Sequence, residues 1–390
     1  MRKNRIQQLA TTSVALGFLV QTIGMAFRWY EAGLVEVEAF EQSTGEILEG
    51  AAYLKVITQH PPWSNLYEIM GYMGWGLVLV FLVCEVKWRP RFVGVFALLL
   101  ALTALGVASL TDGKIKPLVP ALKSWWIMIH VISASIAYAC GTLAAIASFF
   151  YLIKDEKKVP LRKVAAGVMG VSAFICIILG RGWTLFSTQS YQAKGITSPG
   201  VGWLLLLTIG LSVLVPLSTW WRGVRGEVSV LYFTAYSSLI TTITLILING
   251  NVNIWDMALF SIILLGQTFV GLALLWPQKI RALIPSADEL DHIAYSNILV
   301  AFTLMAVVLV TGALWAHYAW GRYWGWDPKE TGALVIWITY ALYLHTRIAY
   351  GWAGPRSAMI AVFGFFVILA GFLGVNLGWF ADGLHSYGSS

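Results

Sequence analysis

The chain has 390 residues, 58% of them hydrophobic and only 12% charged, with a formal net charge of +7 and a mean hydropathy of +0.73. That balance excludes a soluble globular protein: apolar runs of about 20 residues, enough to cross about 30 Å of hydrocarbon, recur from end to end. The basic excess does not point to nucleic acid, because it is concentrated in alternate connectors between those runs and so reads as an orientation signal.

In chain order, eleven spans are expected, at roughly 9–29, 67–86, 92–111, 125–153, 164–180, 201–220, 229–249, 255–277, 293–314, 331–350 and 358–379. The first follows Met1-Arg2-Lys3-Asn4-Arg5, and no small-residue cleavage site ends it, so it reads as a retained span and not a signal peptide. Seventeen of the 26 basic residues fall in the connectors on one side, among them Lys87, Arg89, Arg91, Lys154, Arg281 and Arg347. The positive-inside rule then places the N-terminus in the cytoplasm and the C-terminus outside. The long connectors 30–66 and 181–200 and the stretch 315–330 also lie outside. The predicted architecture is all-α, one polytopic helical membrane domain over 1–390, with no Gly-rich phosphate loop for ATP-driven work. Cys84, Cys140 and Cys176 lie in or at the ends of apolar runs without a CxxC pair, which marks them as small core residues, not a disulfide or zinc framework.

Residues 315–330 stand out. Six of these sixteen are Trp or Tyr (Trp315, Tyr318, Trp320, Tyr323, Trp324 and Trp326), and the stretch ends in Asp327-Pro328-Lys329-Glu330. An aromatic belt explains one or two such residues per helix end, whereas this density suits a shelf for a large flat ligand. Asp327 as N-cap, Pro328 at the first helical position and Glu330 at the third make a capping-box helix start, a role sufficient by itself for both acids.

Among the six histidines, His130 and His385 fall near the membrane face that carries the aromatic stretch. Two imidazoles beside an aromatic shelf suit a bis-histidine haem, the alternative being polar interfacial side chains. His345 follows Pro328 by 17 residues, about 26 Å down a helix at 1.5 Å per residue, so it belongs to a site deeper in the membrane or snorkels beside Arg347. His317 lies within the aromatic stretch, and His60 and His292 read as ordinary solvated residues.

The run from Trp320 to Glu330 resembles the tryptophan-rich WWD signature of haem-handling membrane proteins. Extended through Trp337–Arg347, and joined by Asn65–Glu68, Leu118–Val131, Gly374–Asn376 and Gly383–Gly388, it resembles the CcsA/ResC branch of System II cytochrome c biogenesis. The resemblance covers 60–160 and 285–390; the spans within 164–280 have no counterpart in the shorter members and no assigned role.

Between a bacterial cytoplasmic membrane and an organelle membrane, the added spans and the lack of a transit segment favour the bacterial one, and the resemblance implies the role of the protein there. It would carry haem b outward and present it at the external face, where the haem is joined by thioether bonds to the CxxCH segment of apocytochrome c. The activity implied is that of a cytochrome c synthase subunit working with a CcsB/ResB-like membrane partner, while a thioredoxin-like protein keeps the substrate thiols reduced. His130 and His385 would be external axial ligands of the haem iron, and His345 one ligand of a haem within the membrane whose other ligand comes from the partner. Trp320, Trp324, Trp326 and Asp327 would belong to the haem shelf, and Arg322 and Lys329 are both open as partners for the propionates. Competing readings are a System I-type WWD protein that passes haem to a carrier chaperone, a secondary transporter, and a non-catalytic scaffold.

Overall fold

The structure, a computed structural model, describes residues 2–88, 91–109, 113–155 and 276–376. These residues form helices and no strand: α1 (Arg2–Thr44), α2 (Gly50–Ile57), α3 (Leu66–Trp88), α4 (Arg91–Ser109), a 3-10 turn (Pro120–Leu122), α5 (Trp125–Lys154), α6 (Pro277–Leu283), α7 (Ala287–Trp320), α8 (Pro328–Tyr350) and α9 (Pro355–Asn376). The chain divides into two compact units, Met1–Tyr151 with Ala287–Ser390, and Leu152–Ser286. In the second, Lys154 Nζ donates to the carbonyls of Arg281 (2.7 Å) and Ile284 (2.9 Å). The expected spans at 164–180, 201–220 and 229–249, nearly all of that at 255–277, Cys176 and His385 lie outside the described residues.

Among the described residues, five helices are long and apolar enough to cross a membrane: Gln8–Thr44, Tyr67–Trp88, Trp125–Lys154, Ala287–Trp320 and Pro355–Phe372. The chain is therefore a helical membrane protein. Of the other two expected spans among the described residues, α4 is apolar only over Arg91–Gly106. Helix α8 has the length, at 23 residues, but carries Lys329, Glu330, His345 and Arg347.

Two expectations change here. The connector 30–66 is not an extended loop: α1 runs 43 residues, about 65 Å, so it outlasts the hydrocarbon and continues to Thr44. Its buried stripe there is Ala32, Gly33, Glu36 and Val37. Gly33 belongs to the stripe because α2 crosses so closely that a Cβ at this position would sit 2.1 Å from the Ile57 carbonyl oxygen. His60, expected in solvent, is fully buried. Its Nδ1 lies 3.1 Å from Glu36 Oε1 and its Nε2 3.3 Å from Ser64 Oγ.

These contacts belong to a buried polar chain that ties α1 to both of its neighbours. Glu36, 3% exposed, accepts from Lys123 Nζ at 2.7 Å and from the Leu118 backbone N–H. Glu68, 4% exposed, accepts from Ser64 N (2.8 Å), Ser64 Oγ (2.9 Å) and Arg28 Nε (3.0 Å). Asn65 Oδ1 caps the first turn of α3 through Glu68 N at 2.9 Å. These two buried carboxylates are tolerated because each of their oxygens finds a donor. At the other side of the unit, Arg347 of α8 grips Asp291 of α7 through both guanidinium nitrogens, with Nη1–Oδ1 at 2.8 Å, and lies over the Tyr295 ring.

Glu36→Gln exchanges two acceptor oxygens for one and leaves buried donors unmatched. We expect a loss of about 3 kcal/mol, read as a lower thermal midpoint of the detergent-solubilised protein. Lys123→Met, at a partly exposed position, should cost less than about 1 kcal/mol. Equal midpoints for Glu36→Gln and the parent protein would show that the clamp contributes nothing.

Candidate functional site

The site is built on the contact between α5 and α7. His130 Nδ1 lies 2.9 Å from the Val308 carbonyl oxygen. A carbonyl only accepts, so Nδ1 carries the proton and Nε2 keeps its lone pair. Gly312, one turn along α7, makes this possible: a Cβ there would sit 2.9 Å from both Cε1 and Nδ1 of the ring. The neighbouring Trp315, 3% exposed, donates from Nε1 to the Ala121 carbonyl at 2.7 Å, which fastens α7 to the segment leading into α5.

His130 opens on a cavity of about 210 Å³ in the first unit. Trp63, Ile69 and Met73 form one wall, Ser135 and Tyr138 of α5 another, and Trp315, Tyr323 and Trp324 an aromatic rim. Lys329, Glu330 and Ala333 of α8 complete it with Gly371 and Phe372 of α9. Aromatic faces, an imidazole with a free nitrogen lone pair and one ammonium fit an iron porphyrin with its carboxylates. The volume lies below the roughly 300–1,000 Å³ of enclosed small-molecule sites, so the cavity takes only part of a ligand of that size.

The aromatic stretch is less of a loop than expected. Helix α7 continues through Trp320, and only 321–327 form the turn into α8. That turn is closed by the anticipated capping box: Asp327 Oδ1 accepts from Lys329 N at 2.8 Å, and Glu330 Oε2 accepts from Gly325 N (2.8 Å) and Asp327 N (3.2 Å). Trp326 is held at φ 57, a left-handed conformation that costs a side-chain-bearing residue about 1–2 kcal/mol.

The predicted site residues separate accordingly. His130 and Trp324 share the cavity. Trp320 does not line it but packs edge-on against Trp315, with ring centroids 4.8 Å apart. Trp326 is 72% exposed and meets Trp324 at 90°. Asp327 is a buried helix cap. His345 is exposed on α8 and meets Tyr350 edge-on at 5.7 Å, away from the cavity. His385 lies outside the described residues. His317 is exposed and stacks at 4.2 Å on Tyr323, steadying a rim residue without lining the cavity itself. Sequence reasoning missed Trp63, Tyr138 and Gly312. Only Gly312 left a signal, a lone glycine inside an apolar helical run, where a close packing partner is the usual reason.

A family model described as "Cytochrome C assembly protein" matches residues 63–381. The cytochrome c biogenesis protein CcsA of Trichormus variabilis is 31% identical over 390 residues, covering 98% of this chain and 89% of that protein. Its counterpart in Synechocystis sp. is 33% identical over 367 residues, covering 92% and 89%. That of Nostoc sp. is 32% identical over 392 residues, covering 98% and 89%. The similarity therefore includes the aromatic turn, the His130 segment and the α8 histidine.

The tightness of the α5–α7 contact is testable by sign. Gly71, with nothing within 4 Å of its missing Cβ, should gain about 0.5–1 kcal/mol on replacement by Ala, as exposed helical glycines do. Gly312→Ala should instead lose about 1–3 kcal/mol through overpacking. Thermal midpoints of the two variants would give shifts of the same sign if His130 had room to move.

Proposed function

The chain belongs to the cytochrome c assembly family, and from that premise we propose that it presents haem at the external face of a bacterial cytoplasmic membrane for covalent attachment to apocytochrome c, as one subunit of a cytochrome c synthase. The observation that carries this reading is His130. Its Nε2 lone pair is free on an aromatic-walled cavity that also contains Trp324 of the tryptophan-rich turn.

Each part has a physical task. His130 supplies one axial nitrogen to the haem iron, and the Val308 carbonyl keeps its ring turned and its tautomer correct. His385 supplies the opposite nitrogen until the histidine of the substrate CxxCH replaces one of the two. Trp315, Tyr323 and Trp324 exclude water from the porphyrin plane. Trp320 and Trp326 extend the aromatic surface through their edge contacts. Asp327 acts by holding the turn in shape.

In the joining reaction each cysteine S–H adds across a haem vinyl group: the C=C π bond breaks, an S–C bond forms, and the thiol hydrogen ends on the other vinyl carbon. There is no net redox change, so the protein contributes chiefly by positioning. The thiols must arrive reduced, which assigns a thioredoxin-like protein to the substrate side.

His345 supports a two-component assembly. Val335, Ile338, Leu342, His345 and Ile348 form one exposed stripe along α8, apolar except for the imidazole. An ionisable group on an otherwise apolar stripe is a candidate ligand, and a partner that covers the stripe would shield it. A CcsB/ResB-like partner that supplies a second ligand for an intramembrane haem accounts for the stripe.

Replacing His130 and His385 together by Gly should abolish cytochrome c maturation and remove the external bis-histidine haem spectrum from the purified complex, with free imidazole restoring both. His345→Ala should remove a separate, intramembrane haem signal. Unchanged maturation and spectrum in the double variant would take both histidines away from the iron.

A further inference from the structure

We infer that Lys329, and not Arg322, anchors a haem propionate at this cavity, an assignment that rests on the haem reading above. Both bases flank the aromatic turn, and their positions in the chain do not choose between them. The fold does. Arg322 is exposed, and its guanidinium lies against the turn backbone: a Cβ on Gly325 would be 2.6 Å from its Cζ and Nη2. It is not on the cavity wall, whereas Lys329 is on the same wall system as His130.

Among the described residues lining the cavity, Lys329 is the one lysine or arginine. Glu330, next in the chain, lines the same cavity and accepts the backbone N–H groups of Gly325 and Asp327 through Oε2. The backbone N–H of Lys329 is itself held by Asp327 Oδ1, so the base of its side chain is fixed in space. An ammonium in a largely apolar cavity attracts a carboxylate far more strongly than one in water.

A porphyrin held by iron alone can rotate about the iron–nitrogen bond. A second attachment, from one propionate to Lys329, removes that freedom and fixes which edge of the ring faces the start of α8. Lys329 is thus a specificity-determining contact that selects porphyrins with free carboxylates, and a positioning contact for the vinyl groups at the opposite edge.

The test titrates the full chain with its membrane partner, in detergent, against haem and against haem dimethyl ester, whose propionates are blocked. Binding is read as the absorbance change that His130→Gly removes. The parent complex should prefer haem by about tenfold. Lys329→Met should lower haem affinity about tenfold, to the level of the ester, and leave ester affinity unchanged. Lys329→Arg should restore most of the preference, and Arg322→Met should keep it. A preference that survives Lys329→Met, or disappears in Arg322→Met, overturns the assignment. So does loss of the ester along with haem in Lys329→Met, which would make the residue structural. If the parent binds both porphyrins equally in a His130-dependent manner, the lysine assignment alone fails. If it binds neither in that manner, the haem reading fails with it.

Discussion

The site depends on the hydrogen bond from His130 Nδ1 to the Val308 carbonyl. This single contact sets the ring orientation, the tautomer and the separation of α5 and α7. It requires Gly312, because any side chain at that place would occupy the space of the imidazole. The Trp315–Ala121 bond ties α7 to the 3-10 turn that leads into α5. In the proposed chemistry the protein acts chiefly by positioning a porphyrin for thiol addition.

The turn at 321–327 is held by a different device. Glu330 Oε2 accepts two backbone N–H groups, Asp327 caps the helix that follows, and between them Trp326 is kept in a left-handed conformation it would not choose alone. The consequence is a division of the aromatic residues. Trp324 faces the cavity and Trp326 faces away, with the two rings at right angles. The acids of the motif thus work mainly on the backbone, and Lys329 is the base of the motif that lines the cavity.

Local signals were legible where one stretch of chain carried the whole cause. The start of α8 was readable because Asp-Pro-Lys-Glu encodes its own capping box, and the long apolar helices were readable because hydrocarbon thickness fixes their length. The outer half of α1 was not, because its buried stripe contains Gly33 and Glu36, neither of which reads as core. His60 was misjudged for the same reason: its burial depends on Glu36, 24 positions earlier, and Glu36 in turn accepts from Leu118 and Lys123, more than 80 positions later. The aromatic stretch was read as a connector through 330 although α7 keeps its helix to Trp320, because aromatic residues neither favour nor break a helix strongly.

By itself the sequence determined that the chain is a helical membrane protein of the cytochrome c assembly family, that α8 begins at Pro328, and that His130, His345 and the tryptophans were the residues to examine. Composition, span length and capping chemistry act over a few turns of chain, so they need no knowledge of the fold. Only the tertiary structure decided which of those residues meet. It put His130, Trp324 and Lys329 on one cavity and Arg322 off it, left His345 on an exposed stripe, and buried His60. Each of those outcomes depends on contacts between helices far apart in the chain, down to the missing Cβ of Gly312, and such contacts exist only once the helices have packed.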